Sequence, residues 1–155
     1  TLFRSIAKYT DSTRATADFD VRDYTAFGLG TVSSIVAALE ASGTKPARAM
    51  AATLRHRSPL MLHVVLEQVR RARNMTLADD LRMERDLVQH CFYTAHLERS
   101  GHASETVEGI RALAIDKDYK PVWNPARLDH VTAAMVEPFF VSPWSAATHP
   151  LRDLV

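Results

Sequence analysis

Apolar side chains recur three and four positions apart along most of this 155-residue chain, which is the spacing of one face of an α-helix. Residues suited to cap the N-termini of such helices precede the apolar stripes. They are Thr31, Ser58, Thr76 and Ser104. Pro46 and Pro59 suit first turns, and Gly43 suits a helix end. No segment alternates apolar and polar residues over five positions as a strand does. The pattern predicts an all-α protein of about six to seven helices.

Two of these stripes define faces that we expect to be buried. In the helix after Ser58, the residues of the expected buried face are Leu62, Val65, Leu66 and Val69. In the helix after Thr76, expected to run five or more turns, they are Leu77, Leu81, Leu87 or Val88, Cys91 or Phe92, and Ala95. The opposite face of that helix is charged and expected to be solvated. It carries Asp80, Arg82, Glu84, Arg85 and Asp86.

The chain is predicted to form a single helical domain over residues 1–155, with looser ends. Residues 2–9 suit a short amphipathic helix, but segments 1–30 and 139–155 are expected to be irregular or loosely ordered overall. Pro138, Pro143 and Pro150 argue against a long closing helix. Asn124 followed by Pro125 predicts a cap and first turn for one or two short helices after it.

Composition excludes several classes of function. The chain is 46% hydrophobic and 24% charged, which is typical of a folded soluble domain. A formal net charge of +1 gives no general field that would hold nucleic acid or an anionic membrane, and no apolar run reaches the ~18 residues of a membrane span. The cluster of Arg70, Arg71 and Arg73 is interpreted as a solvated helix end. With one cysteine, Cys91, a reducing compartment and a structural thiol are expected.

The usual catalytic signatures are missing from the sequence. Seven histidines include no H-E-x-x-H pattern, and the spacing of His90 and His96 places them on different faces of one helix, so no metal site is predicted. There is no G-x-S-x-G elbow, P-loop or G-x-G-x-x-G fingerprint. Most acids stand beside Arg or Lys, where ion pairing explains them. No catalytic residue is assigned.

The stretch from Ser104 to Pro125 is the most specific part of the chain. Its helix should pack one face in the core through residues at helical spacing. They are Val107, Ile110 and Ala114. Gly109 costs ~1 kcal/mol inside a helix relative to alanine, which indicates either close packing of another segment or room for a ligand. Lys117, between two aspartates at the helix end, is open to three roles: a partner of the helix dipole, of an aspartate, or of a ligand phosphate.

This stretch resembles the C-terminal signature of the 3-hydroxyisobutyryl-coenzyme A hydrolases, a branch of the crotonase superfamily. The residues that carry the resemblance are the run 108–112, Glu-Gly-Ile-Arg-Ala, the run 115–118, Ile-Asp-Lys-Asp, and then Pro121, Trp123 and Pro125. Ser58-Pro59-Leu60 is similar to a second segment of that branch. The chain departs at Glu105-Thr106, where the branch usually has aspartate and phenylalanine. It also departs at Leu60-Met61-Leu62, where a small polar residue and leucine are expected after Ser-Pro.

The resemblance implies the C-terminal helical region of a crotonase-type protein, without the β/α core that holds the family's oxyanion loops and catalytic carboxylates. It implies an acyl-CoA thioester hydrolase of valine catabolism in mitochondria, with this segment, as a fragment, inactive alone. No permanent cofactor is expected. The coenzyme A moiety of the substrate is expected to meet Lys117 and, less directly, Lys120.

The same resemblance sets expectations for partners. They are the N-terminal crotonase core, acyl-CoA substrate and, through an apolar face that the core should cover, further copies of this chain. Nucleic acid and membrane are not expected. Two alternatives stay open: a non-catalytic, hydrolase-like component of a mitochondrial small ribosomal subunit, and a free-standing helical interaction domain.

Overall fold

The computed structural model describes residues 24–100 and 103–155, and within these ranges it contains six α-helices and no strand. The helices are α1 (Val32–Ala41), α2 (Lys45–Arg55), α3 (Pro59–Ala72), α4 (Leu77–Phe92), α5 (Glu105–Ile110) and α6 (Ala133–Val136). Single turns of 3₁₀-helix connect some of them, and a π-helical turn, Arg111–Ile115, extends α5. The predicted all-α fold is confirmed. The predicted helix over residues 2–9 lies outside the described residues.

The N-termini of the first five helices are capped by hydroxyl side chains. Each hydroxyl oxygen accepts a hydrogen bond from the backbone N–H three residues further on, which satisfies a group that the helix cannot pair. The capping residues are Thr31, Thr44, Ser58, Thr76 and Ser104. Pro46 and Pro59 lie in first turns, and Gly43, with φ of 74°, follows α1. The caps predicted at Thr31, Ser58, Thr76 and Ser104 are confirmed, and Thr44 is a further cap that was not predicted.

The predicted cap at Asn124 is wrong. The Asn124–Pro125 peptide bond is cis, and no α-helix starts there; the next one begins at Ala133. The backbone groups of Asn124 have tertiary partners instead: its N–H donates to Glu105 Oε1 at 3.0 Å, and its carbonyl accepts from Arg99 Nη1 at 2.8 Å. These contacts fix the segment as a connection rather than a helix start.

The core consists of two apolar clusters. In the first, α1 and α2 pack together through Ala26, Ile35, Leu39, Ala47 and Ala51. In the second, α3 and α4 enclose side chains from the end of the chain. Its buried members are Leu60, Val64, Met83, Leu87, Val136 and Phe139. Because Phe139 is fully buried in this cluster, the segment that follows α6 is part of the core.

The buried faces of α3 and α4 differ from those predicted. In α3 the innermost residues are Leu60 and Val64, whereas Val65 and Val69 are each 50% exposed, because the Leu60 face is the one that meets α4 and Phe139. In α4, Leu77 is 75% exposed. Helix α4 has 16 residues, fewer than five turns. The predicted stripes were therefore wrong at Val65, Val69 and Leu77, whereas the predicted burial of Leu87 is confirmed.

Asp86 is buried, contrary to its predicted position on the solvated face of α4. Its Oδ1 accepts from the Ser142 hydroxyl at 3.0 Å and lies 3.2 Å from His149 Nε2. The Arg82 guanidinium reaches the same C-terminal segment and donates to the carbonyl of Leu151 at 3.1 Å. Residues 141–155 form turns rather than helix, and polar side chains of α4 hold them.

Candidate functional site

A cleft of about 570 Å³ opens beside α5 and its π-helical turn. Its walls are mostly apolar, with a few polar groups at the edge, as in many small-molecule sites. The apolar walls include Gly109, Ile110, Leu113, Tyr119 and Trp123, and the polar groups include His56, Arg57, Glu105 and Thr106. We refer to this space as the cleft. Its position next to the segment 116–120 makes these two features the candidate site.

Gly109 lies against the Trp123 ring. A Cβ atom placed on Gly109 would be 3.4 Å from Trp123 Cη2 and 3.8 Å from Cζ3. Trp123 is also held from the other side, because its indole N–H donates to the His56 carbonyl at 3.1 Å. Another segment of the chain thus lies against Gly109, and this contact forms one wall of the cleft.

Glu105 is a buried carboxylate that the sequence did not single out. Its Oε2 accepts from the Ser58 hydroxyl, its Oε1 accepts from the Asn124 N–H at 3.0 Å, and Arg99 Nη1 is 3.8 Å from Oε1. Burial raises the pKa of Glu105, and the hydrogen bond from Ser58 opposes this effect. Glu105 thus joins the start of α3, the start of α5 and the segment before Pro125.

The register of the helix changes after Ile110. The Asp116 N–H donates to the Arg111 carbonyl at 2.8 Å, a bond across five residues that is typical of a π-helix. Ala112 is buried, whereas Ile110 is 44% exposed and Ala114 is also exposed. The prediction that Ile110 and Ala114 pack in the core is therefore wrong. The π-helical turn changes the register at Ala114, and Ile110, before that turn, lines the cleft.

Arg111 gathers the charged groups around the end of this helix. Its guanidinium makes two hydrogen bonds to Glu108, at 2.8 and 2.9 Å, and one each to Asp116, at 2.5 Å, and Asp118, at 2.8 Å. It also donates to the Lys120 carbonyl at 3.1 Å. Hydrogen bonds from Arg111 hold the pKa of Glu108 and of Asp118 below the ordinary value. We call residues 116–120 the closing turn.

Lys117 and Lys120, the predicted coenzyme A contacts, are both exposed on the closing turn. Lys117 has φ of 55°, in the left-handed region, as does Tyr119 two residues on. Within the described part of the chain, no carboxylate lies within 4 Å of the Lys117 ammonium. Lys120 contributes to the lowered pKa of Asp118. Within the described residues neither lysine forms an ion pair, and Lys120 is the one whose charge influences the neighbouring Asp118.

His90 and His96 meet, although the sequence placed them on different faces of one helix. Helix α4 ends at Phe92, and the chain turns back so that the two rings lie edge to face at 4.4 Å. Neither ring nitrogen of His96 has a hydrogen-bond partner of normal geometry, and burial, with His90 nearby, lowers its pKa to about 4. Among residues 24–100 and 103–155, no three potential ligands form a metal-binding group.

Ser142, Asp86 and His149 come together in an arrangement that only superficially resembles a hydrolytic triad. The Ser142 hydroxyl donates to Asp86 Oδ1, which also lies 3.2 Å from His149 Nε2. The other imidazole nitrogen, Nδ1, accepts from the Leu151 N–H at 3.0 Å. Since the imidazole does not accept the hydroxyl proton, it cannot activate the serine as a nucleophile. The cluster holds the C-terminal segment against α4.

Arg70 and Arg71, two of the three arginines near the end of α3, are engaged within the chain. Arg71 pairs with Glu67 and Glu137, each at 2.7 Å, and its guanidinium lies over the Phe140 ring. Arg70 donates to the Gly30 carbonyl.

Burial raises the pKa of the Cys91 thiol, as expected for a structural residue. No helix in the described ranges combines the length and apolar character needed to cross a bilayer.

Comparison with known proteins places these features in a family. The model of the enoyl-CoA hydratase/isomerase family matches residues 5–140. The 3-hydroxyisobutyryl-CoA hydrolase-like protein 5 of Arabidopsis thaliana is 36% identical over 118 residues, which are 74% of this chain and 29% of that protein. The mitochondrial 3-hydroxyisobutyryl-CoA hydrolase of Danio rerio is 34% identical over 116 residues, 75% of this chain and 28% of that protein.

The chain is also similar to a solved structure. The crystal structure of a carnitinyl-CoA dehydratase from Mycobacterium thermoresistibile matches with a TM-score of 0.61 and 37% identity, over 76% of this chain and 31% of that one. The chain spans less than a third of the length of these three proteins. The names of these relatives give no support to the ribosomal alternative.

Proposed function

Because the chain belongs to the enoyl-CoA hydratase/isomerase family, we propose that it acts as the C-terminal helical region of a 3-hydroxyisobutyryl-CoA hydrolase-like thioester hydrolase. The observation that carries this proposal is its 34–36% identity to proteins named as such hydrolases. Hydrolysis of 3-hydroxyisobutyryl-CoA is a step of valine catabolism, and the Danio rerio relative, named as mitochondrial, supports a mitochondrial location.

The role of this region is to close the substrate site, not to carry out the reaction. Thioester hydrolysis needs donors for the oxyanion and an acid or base to direct water. In the described residues, the buried carboxylate of Glu105 is already bonded to Ser58 and Asn124, and the Ser142 cluster lacks an activating base. A crotonase-type β/α core supplies these groups, and this chain alone does not turn over the substrate.

Lys117 provides a contact to the coenzyme A moiety. Its ammonium is exposed and lacks an ion-pair partner within the described residues, so a phosphate can approach it without breaking an existing pair. Lys120 lies on the same turn and adds a weaker contact, because it also faces Asp118. The apolar residues around the cleft rest against the core when the site is closed.

A chimera tests the proposal. The segment of the Danio rerio hydrolase that matches this chain is replaced by residues 1–155, and release of the coenzyme A thiol from 3-hydroxyisobutyryl-CoA is measured. We expect the chimera to be active. We also expect Lys117→Asn, which removes the charge but tolerates a positive φ, to raise KM several-fold with little change in kcat.

Lys45→Asn is the matched control, because Lys45 is exposed at the start of α2. A folded chimera without hydrolysis, alongside an active parent, would overturn the assignment of this region to a hydrolase. An active chimera in which the Lys117 and Lys45 variants have the same KM would leave that assignment standing and exclude the phosphate contact.

A further inference from the structure

We propose that Arg111 is a positioning residue: it fixes the backbone of the closing turn and occupies the neighbouring carboxylates so that Lys117 is presented to an anionic ligand. The proposal rests on the proposed function for the identity of that ligand, a phosphate of coenzyme A. The conformational part of the proposal concerns this chain alone and is tested without any ligand.

The contacts of Arg111 tie both ends of the closing turn to α5. From the junction of α5 with its π-helical turn, the guanidinium reaches Glu108 on one side and Asp116, Asp118 and the Lys120 carbonyl on the other. Two backbone N–H groups bond to the same carboxylates. The Val122 N–H donates to Glu108 Oε1 at 2.7 Å, and the Lys120 N–H donates to Asp118 Oδ1 at 2.8 Å.

The backbone of the closing turn needs such support. Lys117 and Tyr119 have φ of 55° and 56°, a conformation that costs a residue with a side chain roughly 1–2 kcal/mol. Two such residues within three positions persist only where surrounding interactions determine the conformation. In the described residues, Arg111 is the side chain that contacts the turn at three separate points.

The charge of Arg111 has a second consequence. Asp116 and Asp118 flank Lys117 and would otherwise attract its ammonium, and together with Glu108 they would repel an approaching phosphate. Their pairing with Arg111, at 2.5 to 2.8 Å, places a positive charge among the three carboxylates. Lys117 is thereby left without a partner and faces solvent.

The geometry also explains why this residue is an arginine. The planar guanidinium makes a two-pronged contact with Glu108, Nε to Oε2 and Nη2 to Oε1, while Nη1 serves both aspartates. A lysine ammonium has three donors around one point and cannot reach these separated acceptors together. A change to lysine therefore retains the charge but removes the fork.

Hydrogen–deuterium exchange on the full chain tests the positioning role. We expect Arg111→Gln and Arg111→Lys both to increase exchange at least tenfold in peptides that cover residues 116–122, while peptides from α1 to α3 are unchanged. Arg55→Gln is the matched control, since Arg55 makes a two-pronged contact with Glu40 that includes no residue of the turn. Unchanged exchange in both Arg111 variants would overturn the proposal.

Kinetics of the chimera test the consequence for the ligand. We expect Arg111→Gln and Arg111→Lys to raise KM for 3-hydroxyisobutyryl-CoA with kcat retained, and Arg111→Gln combined with Lys117→Asn to raise it no further than the larger single change. Multiplicative effects would show that Arg111 acts independently of Lys117 and would overturn the proposal. If Lys117→Asn alone has no effect on KM, the phosphate contact fails, and the exchange experiment still decides whether Arg111 organises the turn.

Discussion

Gly109 and Trp123 meet at one wall of the cleft, and their separation defines what can replace the glycine. A Cβ atom at 3.4 Å from the ring makes an ordinary van der Waals contact. Since glycine inside a helix is unfavourable, we expect Gly109→Ala to raise the free energy of unfolding by about 0.5–1 kcal/mol. Urea denaturation followed by far-UV circular dichroism measures this change.

A larger side chain at the same position gives the opposite result. Gly109→Leu has to displace the indole, and this breaks the hydrogen bond from Trp123 to the His56 carbonyl. We expect a loss of about 1–3 kcal/mol, which is typical of overpacking. Equal destabilisation by alanine and leucine would contradict this explanation, because it would show that the wall cannot accept even one methyl group.

His96 gives the stability of the protein a dependence on pH. Its pKa is lowered to about 4 from an ordinary value of 6.5, by burial and by His90, with Arg99 also nearby. The unfolded chain therefore binds a proton at this residue over a range of pH in which the folded chain does not. We expect the free energy of unfolding to fall as the pH is lowered from about 6.5 towards about 4.

Replacement of His96 tests this contribution. His96→Leu removes the titrating group from its place beside His90 and Phe139, so we expect a shallower fall over the same pH range. Urea unfolding at a series of pH values measures the slope. His130→Gln serves as the control, since His130 is exposed. An unchanged slope in His96→Leu would assign the acid sensitivity to other groups.

At the scale of elements, the caps of α3 and α5 differ in what else they hold. Among the described residues, the Ser104 side chain makes only the capping bond of α5, so Ser104→Ala should cost about 1 kcal/mol, as should Thr31→Ala at α1. Ser58 caps α3 and also donates to the buried carboxylate of Glu105. We expect Ser58→Ala to cost about 2–3 kcal/mol, because it also removes the donor to Glu105 Oε2, while the Asn124 N–H still donates to Oε1.

Thermal or urea unfolding of these three variants measures the differences. Equal losses would mean that the bond between Ser58 and Glu105 contributes nothing to stability. The combination Ser58→Ala with Glu105→Gln then separates the two contributions of Ser58, since its cost should fall below the sum of the single changes if the residues are coupled.

Caps could be predicted from the sequence because they depend on a few neighbouring residues. The hydroxyl and the amide it accepts from are three positions apart, so Thr31, Ser58 and Ser104 were identifiable from their local context. The buried faces of α3 and α4 were not, because neighbouring elements decide which of two possible apolar stripes turns inward. Val65 and Val69 carry a plausible stripe, but each is 50% exposed in the described part of the chain.

The candidate site was predictable to a similar extent. The closing turn, Gly109 and Lys117 can be recognised from the residues next to them in the sequence. Glu105 does not, because its burial depends on Ser58, 47 residues before it, and on Asn124, 19 residues after it. The π-helical turn was missed for another reason: no periodicity in the sequence marks the change of register after Ile110.

At the scale of the whole molecule, the distribution of buried and exposed apolar surface determines where the chain can contact a partner. The two core clusters cover one side of the helices, and polar side chains of α4 hold the C-terminal segment over another. Around the cleft, by contrast, a continuous run of the sequence leaves large apolar side chains exposed. They are Ile110, Leu113, Ile115, Tyr119 and Val122, with exposed fractions between 44% and 78%. We call these five residues the apolar strip.

The apolar strip should make the chain self-associate when no crotonase core covers it, since exposed apolar patches on soluble proteins are usually interfaces. We expect the apparent mass in light scattering to rise with protein concentration, and Leu113→Ser with Ile115→Ser to reduce this rise. Val65→Ser with Val69→Ser is the matched control, because these residues are also half-exposed but lie on α3. A monomer at every concentration, or equal effects of both double variants, would show that the strip does not drive association.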